Sequence, residues 1–340
     1  LRTSCLEGHL REYLAKRADV DPEREFFLLA ALGADLPGAL IIEPVDGPAR
    51  QVDGHNDDSD GTPKSLLPDT AMRFSLAGVQ LKFSAIMEAS GGLTVPAGGT
   101  GGSWIVKIPS ALFAAISENE FVMLELARHA GIGVPENRLG RTADIAGLPD
   151  EARAQKTKAL AVRRFDRLPD GQPVHMEDFA QVFGQFPNHK YNFRSYANIA
   201  TVLWAEAGEE AVAEFVRRLV FTVVIGNADM HLKNWSLLYP DRRTPVLSPA
   251  YDFVAALPYL PNDSLGLTFG GSRSLSEITT DQMRSFADTA RIPASPLWRI
   301  AVETAERTAE SWKTLPQADV LPKELRAAIG KQILSVAAIR

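Results

Sequence analysis

The stretch Gly226-Asn227-Ala228-Asp229-Met230-His231-Leu232-Lys233-Asn234 follows an apolar helical run and precedes a short extended one, Trp235 to Leu238. Asp229 and Asn234 stand five residues apart on one loop. Downstream, Pro249-Ala250-Tyr251-Asp252-Phe253 supplies a second carboxylate after a turn, Tyr239 to Thr244, and another short strand, Pro245 to Leu247. Phosphoryl transfer needs a carboxylate that orients the attacking hydroxyl, an Asn that binds metal, and a further carboxylate that holds Mg²⁺ across the phosphates. Asp229, Asn234 and Asp252 have that order and spacing. Asp and Asn are also favoured in turns, so a plain turn is the competing reading of the loop, and Asp252 in its strand context weighs against it.

The other half of such a site needs a phosphate lysine and an acidic partner. Lys107 is the lone charge in Trp104-Ile105-Val106-Lys107-Ile108. A lysine there is either an edge-strand residue or one turned into a cleft. Its candidate partner is Glu120, just inside the next helix. Ser117-Glu118-Asn119-Glu120 also reads as a capping box, which by itself accounts for Glu120. For a loop over the phosphates, Gly98 to Gly102 is Gly-rich but reads as a hairpin turn. The better candidate is Phe74-Ser75-Leu76-Ala77-Gly78-Val79-Gln80-Leu81-Lys82, whose small residues let backbone N–H groups approach phosphate.

Working outward, residues 1–45 read as helical and then extended, with Phe26 to Leu29 opening a short helix and Ala39-Leu40-Ile41-Ile42 forming a strand. Pro44 to Pro68 has linker composition, rich in Asp, Gly, Asn and Pro. Strands follow at Phe83 to Met87, Leu93 to Val95 and Trp104 to Ile108. A helix from about Ser117 to His129 ends at Gly131 and Gly133. Further strands lie near Arg138 and at Ala159 to Phe165. Beyond Arg167 the chain reads as mainly helical, over about residues 193–206, 210–225, 280–290, 296–313 and 322–339. A β-rich half followed by an α-rich half indicates α+β architecture, with an active-site cleft between two lobes.

The bulk numbers fit two lobes: 340 residues are long for one core. A net charge of −6 argues against a chain that binds nucleic acid over its whole surface. Cys5 is the only cysteine, so no internal disulfide forms. The sequence has no apolar run of membrane-spanning length and no signal-peptide pattern at its start, which is Leu1 rather than Met. A reducing, cytoplasmic setting is expected. The six histidines lack metal-ligand spacing, and no G-x-S-x-G pattern supports a hydrolase. Trp204, Trp235, Trp298 and Trp312 read as core or interface residues. The basic residues Lys323, Arg326, Lys331 and Arg340 read as a solvated helix face.

Several segments, in order, resemble the HipA family of bacterial toxin kinases. They are Ser75 to Lys82, Val106-Lys107-Ile108-Pro109, Asn119-Glu120, Ala159 to Arg167, Glu177 to Gly184, Gly226 to Asn234, and Tyr251-Asp252. The resemblance implies a bilobal, protein-kinase-like fold with a β-rich N-lobe and a mainly helical C-lobe. It divides the chain into a remnant of an N-terminal subdomain plus linker (1–60), an N-lobe (61–167) and a C-lobe (168–340). It implies ATP and Mg²⁺ as cofactors, Asp229 as catalytic base, Asn234 and Asp252 as metal ligands, and Lys107 as the ATP phosphate lysine with Glu120 its partner. Ala77, Gly78, Val79, Gln80, Leu81 and Lys82 would form part of the nucleotide loop. Backbone groups along Arg163, Arg164 and Phe165 would face adenine, and His231 and Lys233 would lie near the phosphates. Ser75 matches the family's autophosphorylation serine. The side chains of Arg164, Asp166 and Arg167 are expected to pair structurally.

The protein target implied is an aminoacyl-tRNA synthetase. The partners implied are a HipB-like antitoxin, with operator DNA reached through it, and a separate small protein resembling the missing part of the N-terminal subdomain. No membrane partner is implied. Two other functions share parts of the pattern: a small-molecule phosphotransferase, and a catalytically silent module that docks an antitoxin. Ser75 in its loop and the Arg164-to-Arg167 stretch favour the protein kinase.

Overall fold

The computed structural model describes residues 21, 26, 33–42, 82–96, 101–109, 113–154, 157–186 and 189–337. The chain divides into two compact units, residues 1–108 with 140–173 and residues 109–139 with 174–340.

The first unit is built on a five-stranded sheet in the order β2-β1-β3-β5-β4. The strands are β1 (Lys82–Met87), β2 (Leu93–Thr94), β3 (Trp104–Lys107), β4 (Asn137–Arg141) and β5 (Lys158–Arg163). β1 pairs antiparallel with β3, Phe83 opposite Val106, and β3 pairs antiparallel with β5, Val106 opposite Ala161. Phe83, Ala85, Trp104, Val106 and Ala159 to Val162 are buried, which is why these runs of apolar residues settle as strands. Gly102 is required at the entry to β3: an added Cβ would lie 2.5 Å from the backbone N and O of Ala85. A short helix, α2 (Asp150–Ala154), lies between β4 and β5.

Beside the end of β5 the Arg164 guanidinium is buried between two carboxylates. It bonds Asp35 Oδ1 at 2.7 Å and Asp166 at 3.0 and 2.9 Å. Arg167 bonds the same two acids and the Gly38 carbonyl. The Gly38 N–H donates to Asp166 Oδ2. Burial works to lower the Arg164 pKa, but Asp166 and Asp35 outweigh it and hold it raised. Burial likewise pushes Asp166 up, and Arg164 and Arg167 bring it below the ordinary range. The expected structural pairing of Arg164, Asp166 and Arg167 is therefore present, with Asp35 as a fourth member.

This cluster also corrects one expectation. Ala39 to Ile42 do not form a strand. Gly38 and Ala39 make a turn, Leu40 and Ile41 are exposed, and Ile42 N–H donates to Gly33 O. The segment takes its conformation from the Asp35 and Gly38 bonds to Arg164, Asp166 and Arg167, not from a sheet edge.

The second unit is mainly helical: α1 (Ile116–His129), α3 (Phe179–Val182), α4 (Tyr196–Glu206), α5 (Gly208–Ile225), α6 (Thr280–Ala290), α7 (Ala294–Thr314) and α8 (Lys323–Val336). A three-stranded antiparallel sheet, in the order β6-β7-β8, comprises β6 (His175–Asp178), β7 (Ser236–Tyr239) and β8 (Val246–Leu247). β6 falls in a stretch to which the sequence assigns no helix or strand, and it pairs through Asp178 opposite Ser236. Every residue from Leu219 to Ile225 is buried. A helix that is apolar all round belongs in a core, and α5 packs against α4, α7 and α8. An aromatic cluster of Tyr196, Phe215, Trp235 and Phe286 fills the centre, with Phe215 and Trp235 ring centroids 4.6 Å apart.

A further expectation changes. Ser117 does not cap α1. The helix begins at Ile116 after Ala115, whose φ of 54° is left-handed, so Ser117 already lies in the first turn, and its hydroxyl is buried without a hydrogen-bond partner. A capping Ser needs extended backbone, which this entry does not offer. Of the core and interface readings, only the interface one stays open to Trp204, which is 39% exposed, whereas Trp235 and Trp312 are buried. Lys323, Arg326 and Lys331 are exposed on α8, as read from the sequence.

Replacing Arg164 with Met should leave Asp35 and Asp166 buried without their main counter-charge and destabilise the chain by about 3–5 kcal/mol. Urea unfolding followed by circular dichroism measures this. Arg141→Met, at the exposed pair with Asp144, should leave the midpoint unchanged.

Candidate active site

The chain after α5 turns sharply because Gly226 adopts φ 70°, ψ 40°. An added Cβ there would lie 2.9 Å from the Leu257 side chain and 3.1 Å from that of Gln332, so the position needs glycine for both conformation and space. The Gly226 carbonyl accepts from the N–H groups of Ala256 and Leu257 at 3.0 and 3.2 Å. The turn that delivers the loop is thus bonded to the chain just beyond Asp252.

Asn227, fully buried, fastens the two acidic positions. Its Oδ1 accepts from the Asp229 N–H at 3.1 Å, and its Nδ2 donates to the Asp252 carbonyl at 3.2 Å. Asn234 donates from Nδ2 to the Asp229 carbonyl at 2.7 Å, and its own N–H donates to His231 O at 3.0 Å. Asp229 is therefore held on both sides of its backbone while its side chain stays 65% exposed. Tyr191 donates its phenolic hydrogen to Asp229 Oδ1. His231 Nε2 lies 3.9 Å from the same oxygen.

Below the loop, Tyr196 donates to the Met230 carbonyl at 2.8 Å, and burial pushes its pKa up. The Tyr251 hydroxyl lies 2.6 Å from Ser236 Oγ and donates to the Lys233 carbonyl at 2.9 Å; burial drives its pKa well up, so the phenol stays protonated. Asn119 on α1 bonds Ala255 twice, Nδ2 to its carbonyl and Oδ1 from its N–H, both at 3.0 Å. Asp252 takes a left-handed backbone, φ 56°, a conformation that Asp and Asn tolerate best among residues with a Cβ.

His231 is buried, and burial, then the positive charges of Lys190 and Lys233, hold its pKa well below the usual 6.5. It is neutral at pH 7, with Nδ1 unpartnered.

The first unit carries a separate group of the expected residues. Lys82 stands directly opposite Lys107 in the β1–β3 register, and both are buried. Arg163 ends β5 with its side chain exposed, Phe165 is half-buried, and the Arg164 N–H is bonded to Ser103 O at 2.8 Å. The Arg164 side chain, held by Asp35 and Asp166, serves the scaffold. Glu120 is buried in α1 of the second unit. Ser75, Ala77, Gly78, Val79, Gln80 and Leu81 lie outside the described residues.

The structure thus brings together Asp229, His231, Lys233, Asn234 and Asp252 in one unit, and Lys82 with Lys107 in the other. The sequence reading assigned no role to Asn227, Asn119, Tyr251, Tyr196 or Tyr191. Asn227, Asn119 and Tyr251 each stand beside an assigned residue in a motif already quoted. For the other two, bonding to residues 34 and 38 positions away, no local signal exists.

As for metal, Asn234 Nδ2 is engaged by the Asp229 carbonyl, so the amide oxygen is the donor atom its side chain could offer. An amide oxygen and a carboxylate are the hard donors that Mg²⁺ takes. Among the described residues no cluster of three or more His, Cys, Asp or Glu side chains offers an all-protein metal cage. No described helix is long and apolar enough to cross a membrane.

Comparison with known proteins gives the following. The HipA-like C-terminal domain profile matches residues 74–312, and the HipA N-terminal domain profile matches residues 1–43. A protein of Sinorhizobium fredii named as a kinase, Y4dM, is 48% identical over 319 residues, 92% of this chain and 76% of that protein. The serine/threonine-protein kinase toxin HipA of Shewanella oneidensis is 26% identical over 344 residues, 91% of this chain and 75% of that one. Among solved structures, a chain of the Shewanella oneidensis HipA, HipB and operator DNA complex matches with a TM-score of 0.74 at 21% identity, covering 99% of this chain and 83% of that chain. That likeness carries the fold, which is α+β and kinase-like.

Because the unfolded chain protonates its histidine near 6.5 and the folded one far lower, His231 should make stability fall as pH drops below about 6.5 and cost nothing above it. His231→Gln should flatten the slope of unfolding free energy between pH 6.5 and 5 by up to one proton, about 1.4 kcal/mol per pH unit. Urea titrations of both chains across that range give the difference.

Proposed function

The chain belongs to the HipA family, and from that premise we propose that it is an ATP-dependent protein kinase that phosphorylates serine or threonine hydroxyls. The observation that carries the reading is the fastening of Asp229 and Asp252 through one buried Asn227, with Asn234 closing the loop on the Asp229 carbonyl. A carboxylate held by its backbone yet open to solvent is suited to accept a hydrogen bond from an incoming hydroxyl and to take its proton as the phosphoryl group is attacked.

Asn234 Oδ1 and the Asp252 carboxylate would hold Mg²⁺, which when bound neutralises charge on the phosphates. Lys107, with Lys82 beside it, would bind the phosphates of ATP, and neutral His231 would offer a hydrogen bond without competing for the metal's charge. Glu120 would act as the partner of Lys107. In the same reading Ser75 is the site of self-phosphorylation, and the target is an aminoacyl-tRNA synthetase. The likeness to a HipA, HipB and operator DNA complex supports a HipB-like antitoxin as partner. With a net charge of −6, the chain would leave most contacts with DNA phosphates to that partner. The assignment as a toxin of the cytoplasm follows from the same reading.

The purified chain, starting unphosphorylated, is incubated with ATP and Mg²⁺ beside Asp229→Ala, and phosphosites are mapped by mass spectrometry. Phosphate on Ser75 that falls by about 10²–10⁴-fold in rate in the variant is the expected result. Absence of phosphate in both proteins would sink the protein-kinase reading. ATP binding without self-transfer would then point to a small-molecule phosphotransferase, and no ATP binding to a silent docking module.

A further inference from the structure

The catalytic carboxylate assigned above carries a resident hydroxyl that the sequence motifs do not account for. Tyr191 lies in the loop between α3 and α4, and its phenol donates to Asp229 Oδ1. The contact is held from several directions. The Leu232 N–H donates to the Lys190 carbonyl at 3.2 Å, which ties the residue before Tyr191 to the catalytic loop itself. The Arg273 guanidinium donates to the Tyr191 carbonyl at 2.8 Å. The Tyr191 ring packs edge-on against His231, with centroids 5.0 Å apart and planes at 79°. Two of these anchors are backbone bonds that do not depend on the phenol, so the ring is delivered to Asp229 by its surroundings rather than by its own hydrogen bond.

Asn227 and Asn234 act on the Asp229 backbone; Tyr191 acts on the carboxylate. That difference matters for a side chain as exposed as this one. A carboxylate at the surface samples several rotamers, and a general base must stand within about 2.6–3.2 Å of the proton that it accepts. A displacement of about 1 Å can cost about 10²-fold in rate.

We propose that Tyr191 is a positioning residue for Asp229: it binds Oδ1 and so fixes the carboxylate plane that is presented to the acceptor hydroxyl. The assignment rests on the kinase reading above and goes beyond it, because it gives the loop before α4 a part in the chemical step. Tyr191 touches neither ATP nor the transferred phosphoryl group in this scheme. Its removal should therefore slow transfer without weakening nucleotide binding.

The test compares the full-length chain with Tyr191→Phe, which keeps the ring on His231 and both backbone anchors, and with Arg273→Ala, which removes one anchor and keeps the phenol. Labelled ATP with Mg²⁺ is the donor; the chain itself and myelin basic protein are the acceptors. The readouts are the first-order labelling rate at saturating ATP and the ATP concentration giving half that rate. Tyr191→Phe should lower the saturating rate about 10- to 100-fold and leave half-saturation within about twofold, with the thermal midpoint unchanged. Arg273→Ala should lower the rate in the same direction by less. In an Asp229→Ala background, Tyr191→Phe should cost nothing more, since the two act as one unit. A Tyr191→Phe chain that labels at the parent rate, or that loses rate and nucleotide affinity together, overturns the positioning role. A parent chain that takes up no label overturns the kinase reading, and this assignment with it.

Discussion

Asn227 has no solvent exposure, and both ends of its amide are engaged: one holds the Asp229 N–H, the other the Asp252 carbonyl. An amide plane is rigid, so the loops bearing the two acids share one reference point. The neighbouring bonds reinforce it. Gly226 O accepts from Ala256 and Leu257, and Asn119 grips Ala255 by both of its polar groups. Asp252 thus sits on a segment fastened to the end of α5 and to the first turns of α1, and those helices are anchored in turn by an apolar core. Losing Asn227 would remove both bonds at once and leave its two neighbouring loops without their shared fastening.

The first unit holds buried charge in two different arrangements. Around Arg164 and Arg167, two acids answer two guanidinium groups, and the result is scaffold: the charges are matched and shielded. Along β1 and β3, Lys82 and Lys107 put like charges opposite each other within a sheet. The first arrangement stabilises the segment from Asp35 to Gly38 against β5. The second is the arrangement to which the kinase reading assigns the phosphates.

Much of this was legible beforehand because it is local. The helix ending at Gly226, the loop to Asn234 and the strand after it each announce themselves within a few residues, through apolar periodicity and glycine chemistry. β1, β3 and β5 show continuous apolar runs. What escaped the sequence depends on partners far along the chain. β6 carries only His175-Met176-Glu177-Asp178 and becomes a strand because β7 offers it a ladder. Ala39 to Ile42 look like a strand in isolation, yet Arg164 and Asp166, more than 120 residues on, bend them into a turn. Asn119 clamps Ala255 across 136 positions. Ser117 matches a capping pattern, but a left-handed Ala115 starts the helix two residues too early for it.

Asp252 occupies a left-handed turn while bearing the charge to which the kinase reading assigns the metal. Among side chains larger than hydrogen, Asn accepts that backbone as readily as Asp does, and the bond from Asn227 reaches the carbonyl of residue 252, not its side chain. A drift from Asp to Asn would thus keep the turn and the fastening and remove only the charge. Descendants of such a gene could keep the architecture and any partner-binding surface while shedding catalysis in one step. In this fold the step from a charged to a neutral residue at position 252 is level for the backbone.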